Sequence, residues 1–551
     1  MNDQPGTAAD TRQFEISRLD LQRVPGQSAL FLDFLHDHKK VSKFYPVLDR
    51  ELSDVAEDVL ANYVVDRFGL CAMLEFFNRG LGCGGQTLSN IERLRSESCV
   101  AVMTGQQAGL FSGPAYTVYK AISAIRLARE LSESGIPAVP VFWIASEDHD
   151  LDEVSTTRIP DVVGGIADVV YKSGPEVEGL PVGDVRFGET IGRLVEEASE
   201  RLASKHAGEL LARSYDEGET FSSAFGKLLT QLLGEQGLIF VSPLNPGFRK
   251  LAAPLVTMAV ESSAEIGEAL RQRDSELQKS GYHSQVRIGD DFFPFFLIDD
   301  GRKRVPLRLA GREAVSRQDT NEQISLSELL EGFSKNPSIL SPNAIMRPVV
   351  QDFVFPNVCY FGGSAEVAYF AQNSAVYGIL ERPSVPIRHR ASFTILEPKN
   401  RRTMLSYSLG FEDVLKGRDE VTATVIEKYL DPETAEAFRN TRSEFESLIA
   451  ELHSRLENSE PTLADSLAKR RKKILWHIDT LHKKFLKAES FKDDVAARRL
   501  AYLFSTVLPD GELQERTVNF LYFYAQFGER LIDWLIEAAD AQGKEHTVLS
   551  F

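Results

Sequence analysis

An α/β fold is what the sequence predicts, with a parallel-sheet core, an α+β insertion and a C-terminal α-helical coiled-coil region. Three stretches carry the prediction. Residues 102–150, VMTGQQAGLFSGPAYTVYKAISAIRLARELSESGIPAVPVFWIASEDHD, read as strand, Gly-rich turn, helix, strand and acidic turn. Residues 285–309 change to short strands around an Asp299-Asp300-Gly301 hairpin signal. Beyond Phe438, apolar residues recur at alternating three- and four-residue steps, the spacing of a coiled-coil seam.

Taken in order, residues 10–98 are expected to be mainly helical, with Phe31, Leu32, Phe34 and Leu35 in one amphipathic piece and Val55, Leu60, Tyr63 and Val64 in another. The apolar run 99–103 is a strand that stops at Thr104-Gly105-Gln106-Gln107. Ser112-Gly113-Pro114 then starts a helix, with Ser112 as its cap and Pro114 in the first turn, where a missing N–H costs nothing. Val118, Ile122, Ile125, Ala128 and Leu131 form its sheet-facing stripe, and Gly135 and Pro137 end it. The next strand, 139–145, is almost wholly apolar, as a strand covered on both faces should be. Both polar turns therefore leave the carboxyl ends of parallel strands, the side on which open α/β sheets bind ligands. A further strand is expected over 238–241, the insertion follows, and apolar strands with Gly-bounded turns resume the sheet between 341 and 396. The last part is an αα-hairpin: Phe438, Phe445, Ile449, Leu452 and Leu456 on one arm face Leu467, Ile474, Ile478, Leu481, Phe485 and Ala488 on the other. The units so drawn are 1–160, 161–340, 341–425 and 426–551.

With 551 residues, 43% hydrophobic and 26% charged, the chain is too long for one compact core. Its formal charge of −18 argues against nucleic acid or an anionic membrane as the main partner. The basic run Lys469–Lys473 offers RNA a surface, but acidic Glu444, Glu446, Glu451 and Glu457 on the first arm are the better expected partners. Residues 1–17 show no basic-then-apolar leader pattern and no run reaches the roughly 20 apolar residues of a membrane span, so a cytoplasmic protein is expected. Cys71, Cys83, Cys99 and Cys359 have neither CxxC spacing nor disulfide-scaffold density, and Cys359, beside a Gly-Gly turn, is expected in the core.

The turn TGQQAGLFSGP is rich in backbone N–H groups and leads into a helix N-terminus, which favours an anion, although it matches neither GxGxxG nor a Walker A pattern. Gln106 and Gln107 supply amides, while Tyr116 and Lys120, one turn apart, either reach a ligand together or pack on each other at the surface. The turn Ser146-Glu147-Asp148-His149-Asp150, beside Trp143, admits a general base, a Mg²⁺ site, an ammonium clamp or a plain solvated loop. A second Gly turn, Phe361-Gly362-Gly363-Ser364, precedes Glu366 and Tyr369, and Arg347, Gln351 and Asp352 are placed to line the same crevice. Residues 386–397 alternate as one strand that puts Arg388, Arg390, Ser392 and Thr394 on one face; two arginines there suit a carboxylate or phosphate, or structural ion pairs. Lys399, Arg401 and Arg402 follow in a turn.

TGQQAGLFSGPAYTVYKAISAIRLA, PVFWIASEDHD, LSPNAIMRPVVQD, FGGSAEVAYFAQ and RASFTILE together resemble the cysteine ligase family of bacillithiol biosynthesis, the BshC type, over essentially the whole chain. The resemblance implies a Rossmann-like core related to nucleotidyltransferases and class I aminoacyl-tRNA synthetases, connective-peptide insertions, and a coiled coil that makes a homodimer. It implies amide formation between cysteine and glucosaminyl malate. The first turn lacks a HIGH-type His pair and KNRRT at Lys399 is a faint stand-in for a KMSKS loop, so adenylate chemistry does not carry over by motif. On this reading an adenine nucleotide, ATP or ADP, with Mg²⁺ is the expected activator, because carboxylates are poor acyl donors. Gly105, Gly109, Ser112 and Gly113 with Gly362 and Gly363 would hold its anionic groups. Glu147, Asp148 and His149 form the expected catalytic set, with Asp148 or His149 orienting or deprotonating the amine. Arg388 and Arg390 would receive malate carboxylates, and Gln106, Gln107, Tyr116, Lys120, Trp143, Arg347, Asp352 and Glu366 would complete the substrate contacts. Nucleotidyl transfer to another small acceptor, or a non-catalytic dimeric scaffold, are the alternatives.

Overall fold

The computed structural model describes residues 14–161, 165–490, 494–540 and 542–551. Residues 1–13, most of the segment on which the leader expectation rests, lie outside the described residues. In chain order the strands are β1 (Glu15–Asp20), β2 (Val100–Gln106), β3 (Ala138–Ile144), β4 (Thr156–Pro160), β5 (Ile166–Val170) and β6 (Ile239–Val241). The insertion contributes β7 (Phe292–Ile298), β8 (Arg304–Leu309), β9 (Ala314–Arg317), β10 (Gln323–Ser325) and β11 (Leu340–Pro342). After it come β12 (Asn357–Gly362), β13 (Ile387–His389), β14 (Ser392–Leu396) and β15 (Glu545–Ser550).

The core sheet has the order β13-β12-β2-β3-β6 and is parallel throughout. The helix Tyr116–Glu133 crosses from β2 to β3 and buries Val118, Ile122, Ile125, Ala128 and Leu131, the stripe that the spacing marked. β2 runs on to Gln106, past the predicted end, because the Thr104 hydroxyl is satisfied inside the sheet by the Phe361 carbonyl at 2.8 Å. Gly105 pairs with Trp143, and a Cβ there would lie 2.7 Å from the Trp143 carbonyl oxygen, so this glycine serves strand contact.

Three expectations are corrected. Ser112 does not cap the helix, which starts at Tyr116; Phe111 and Ser112 have φ of 53° and 79°, and the Ser112 hydroxyl donates to Gly113 O at 3.4 Å. The described part of residues 10–98 is mainly helical, as expected, apart from β1, which pairs antiparallel with β15, itself paired parallel with β14. A strand whose partner lies at the other end of the chain leaves no hairpin signal. The single strand expected over 386–397 breaks at Arg390-Ala391, where the chain leaves the core sheet at β13 and enters the β1-β15-β14 sheet. Lys399, Arg401 and Arg402 lie on the helix Pro398–Ser406, opened by a first-turn proline, and not in a turn.

The insertion is an antiparallel sheet of order β10-β9-β8-β7-β11, closed at the expected hairpin, where Asp299 N donates to Lys303 O at 3.0 Å. The helical hairpin pairs Pro432–Ser459 with Pro461–Ser490 in antiparallel fashion, as the Arg471–Glu446 ion pair and the Arg442–Asp479 pair at 3.0 Å show. Its seam is in part the predicted one, since Phe438 meets Phe485 with ring centres 5.4 Å apart and Ile449 is buried; Leu475 joins it, whereas Leu481 is 60% exposed. Glu446 reaches across the arms, while Glu451 pairs along its own helix with Arg455. Among the described residues no helix is long and apolar enough to cross a membrane.

Candidate active site

A cavity of about 750 Å³ opens at the carboxyl ends of β2, β3, β12 and β13, roofed by β7 and β8 of the insertion. Crossover handedness puts both polar turns on this side of the sheet.

In its floor, Lys120 donates to Gly105 O at 3.0 Å and Gln106 Oε1 at 2.9 Å and forms an ion pair with Glu366. The surface alternative for Lys120 is thereby excluded, since it is 3% exposed. Burial alone would raise the Glu366 carboxyl, but Lys120, the Tyr360 hydroxyl at 2.6 Å and the Gly363 N–H at 2.8 Å hold it below its ordinary value. Gln106 Nε2 donates to the Tyr116 hydroxyl at 3.2 Å, so these four predicted residues do meet on the wall. Trp143 joins them there.

In the acidic turn, Glu147 is committed to a buried ion pair with Arg249, which also donates to Leu340 O. Its role is to tie β3 to the insertion, and its charge is not available to a substrate. Asp148 lines the cavity, accepting from Gln107 Nε2 at 2.7 Å, and Gln107 holds Glu153 equally closely at 2.7 Å. His149 stands at the rim and is not on the wall; its Nδ1 lies 3.5 Å from an Arg304 nitrogen. Partial burial, then the Arg304 charge, outweigh Asp148 and Asp150 and lower its pKa, so it stays neutral.

The cationic wall differs from expectation. Arg390 lines the cavity but is paired with buried Glu515 at 2.8 Å, and Arg388 is absent from the wall, its charge felt instead at the Cys359 thiol, which burial pushes up to about 11. The break between β13 and β14 abolishes the shared face. Asp352 is turned into the core by the helix Met346–Val354 and saturated by Tyr377 at 2.6 Å, Asn357 at 2.8 Å and Gln351 at 3.1 Å. In their place stand Arg347, Arg304 and Arg287, none with a carboxylate within 4 Å among the described residues. Arg347 donates to the Tyr360 and Tyr369 hydroxyls at 3.2 and 2.8 Å and to Gln351 at 3.0 Å. Arg304 stacks 3.9 Å from the Phe296 ring centre and donates to Ser341 Oγ at 3.1 Å and Pro342 O at 2.7 Å.

The glycine amides of the first Gly turn are already engaged within the chain. Gly109 N and Gly113 N are used by Gln107 O at 2.9 Å and Leu110 O at 3.0 Å, and Asn519 Nδ2 closes on Phe111 O at 2.6 Å and Gly113 O at 3.2 Å. Gly109, Ser112 and Gly113 therefore lie off the main cavity. The second turn fits an anionic group better. Gly362 is required by close packing, a Cβ there meeting Glu366 Cβ at 2.8 Å, and Gly363 N is taken by Glu366, but Ser364 and Ala365 open the helix Ser364–Ile379 on the cavity wall, where their N–H groups have no intrahelical acceptor.

Sequence reasoning missed Arg304, Arg287, Arg249 and Glu515. Only Arg304 carried a signal, its place in the alternating RKRVPLRL strand.

A parallel α/β core with a charged crevice at its strand ends, an inserted antiparallel roof and a helical hairpin defines a Rossmann-like protein of enzyme type. Residues 14–391 match the family described as bacillithiol biosynthesis BshC, N-terminal Rossmann-like domain, and residues 393–551 match its C-terminal coiled-coil domain. A protein of Koribacter versatilis named "Putative cysteine ligase BshC" is 36% identical over 96% of this chain and 99% of its own. Same-named proteins of Solibacter usitatus and Salinibacter ruber are 33% and 30% identical, over 96% and 94% of this chain and 98% and 96% of theirs. The chain belongs to the BshC family of bacillithiol biosynthesis.

Proposed function

We propose that this chain joins the carboxyl group of cysteine to the amine of glucosaminyl malate as an amide. The observation that carries the reading is the set of guanidinium groups without carboxylate partners among the described residues, Arg287, Arg304 and Arg347, lining one cavity of a chain whose net charge is −18. Cations left unpaired in so acidic a protein match a dianionic ligand such as the malate half. Asp148 and Glu153, both held by Gln107, line the same cavity and suit the sugar hydroxyl groups. His149 acts through Arg304, keeping its guanidinium over Phe296.

Cysteine needs an activated carboxyl, which an adenine nucleotide with Mg²⁺ supplies when bound. Ser364 and Ala365 are the residues that would meet its phosphate. We place the reaction in the cytoplasm, where Cys71, Cys83, Cys99 and Cys359, all free, stay reduced. We also assign the exposed apolar side chains of the helical hairpin to a homodimer. The test is incubation of the purified chain with cysteine, glucosaminyl malate, ATP and Mg²⁺, followed by mass spectrometry. Bacillithiol is the expected product; pyrophosphate release without an amide would point to nucleotidyl transfer instead.

A further inference from the structure

His389 lines the same cavity, at the carboxyl end of β13, and the roles assigned above do not use it. Its Nδ1 is 3.0 Å from the Gly543 carbonyl oxygen. A carbonyl only accepts, so Nδ1 carries the proton and Nε2 keeps a lone pair. Nε2 has no hydrogen-bond partner among the described residues, and the side chain, 5% exposed, borders the cavity. The ring is fixed edge-on against Phe31, 4.8 Å between centres. Gly543 is demanded twice over, by a φ of +67° and by the 2.3 Å that would separate a Cβ from His389 O. The loop before β15 is thus shaped to hold this carbonyl on this imidazole.

We propose that His389 is the general base of amide formation, with Nε2 accepting the proton of the attacking amine; the proposal rests on the ligase reading. The acyl donor is cysteine activated as a phosphoric mixed anhydride. The amine lone pair forms the C–N bond and the carbonyl π pair moves onto oxygen. The adduct nitrogen, now cationic, gives a proton to Nε2 and keeps the N–H electron pair. The oxyanion re-forms the carbonyl and expels the phosphate group with the C–O pair, and the imidazolium returns its proton to that group or to water. A cationic adduct nitrogen is more acidic than the ammonium of the free amine, so its proton passes to a positioned side chain at this stage. Burial, then neighbouring Arg390, draws the imidazole down to about 4 against the Gly543 carbonyl, Glu515 and Asp540, which leaves it unprotonated at neutral pH.

The test uses the full chain labelled with ¹⁵N-histidine, together with His389→Gln, whose amide oxygen accepts a hydrogen bond but no proton, and His389→Asn, which keeps a donor toward Gly543. An Nδ1-protonated ring whose Nε2 resonance moves when glucosaminyl malate is added is expected. Both variants should lower kcat by on the order of 10²-fold with KM for glucosaminyl malate within about threefold. Undiminished kcat in His389→Gln, or an Nε2-protonated ring, overturns the proposal. If the unmutated chain forms no amide the ligase reading fails, while the nitrogen spectrum still decides His389: a resonance unmoved by glucosaminyl malate counts against it.

Discussion

The ammonium of Lys120 and the carboxylate of Glu366 are ion-paired in the cavity floor, joining the helix that follows β2 to the helix that follows β12. The two crossovers of the core sheet are thereby locked at the ends that face substrate. Removing one partner strands a buried charge, which costs about 3–5 kcal/mol, whereas replacing both leaves none. Glu366→Gln and Lys120→Met should each lower the denaturant midpoint strongly, and the double variant should lie well above the sum of the two losses. Strict additivity would deny the coupling.

Acid should destabilise the fold. Glu366 and Glu515 have carboxyl groups held below their ordinary values, so their contribution is present above the usual carboxylate range and is lost as pH falls through it. His389 and His546 are drawn by burial from an ordinary 6.5 to about 4, so the unfolded chain binds more protons across that window and stability rises with pH there. The denaturant midpoint should therefore drop steadily from pH 7 to 4. In His546→Asn, which removes the ring bonded to Ser392 at 2.7 Å and Thr394 at 2.9 Å, the slope between 6.5 and 4 should be shallower. An unchanged slope would show that His546 does not titrate on unfolding.

Arg304→Ala should raise KM for glucosaminyl malate by roughly 10- to 100-fold, the value of one charge-assisted hydrogen bond, with a smaller change in kcat. Arg388→Ala should leave KM untouched, because its charge sits by Cys359 and not on the cavity wall. Steady-state kinetics with the two variants side by side reads both outcomes, and equal effects would return the carboxylate to the arginine pair suggested by strand alternation.

The core sheet was legible because its signals are local: apolar runs, the stripe from Val118 to Leu131 and the hairpin at Asp299 each lie within one element. The crevice followed from crossover geometry, so Gln106, Gln107, Tyr116, Lys120, Asp148, Arg347 and Glu366 were placed together. What failed depended on partners remote in sequence. Asn519 closes on backbone carbonyls of the first Gly turn, and Glu515 neutralises Arg390; both come from the last 40 or so residues, with no periodic trace of the meeting.

The dimer can be tested at the hairpin because its apolar residues fall into two groups. Leu475 and Ile449 are buried between the arms, so Leu475→Asp should disrupt the hairpin itself and lower helicity. Phe445, Leu448, Leu452, Trp476 and Leu481 are each between 44% and 61% exposed and are not needed by that seam. Exposed apolar side chains of this kind are what a second coiled-coil chain covers. Trp476→Asp with Leu481→Asp should therefore convert a dimer to a monomer in light scattering while circular dichroism stays that of the unmutated chain. A dimer that survives both substitutions would move the contact off these side chains, and an unmutated chain that is already monomeric would remove the homodimer altogether.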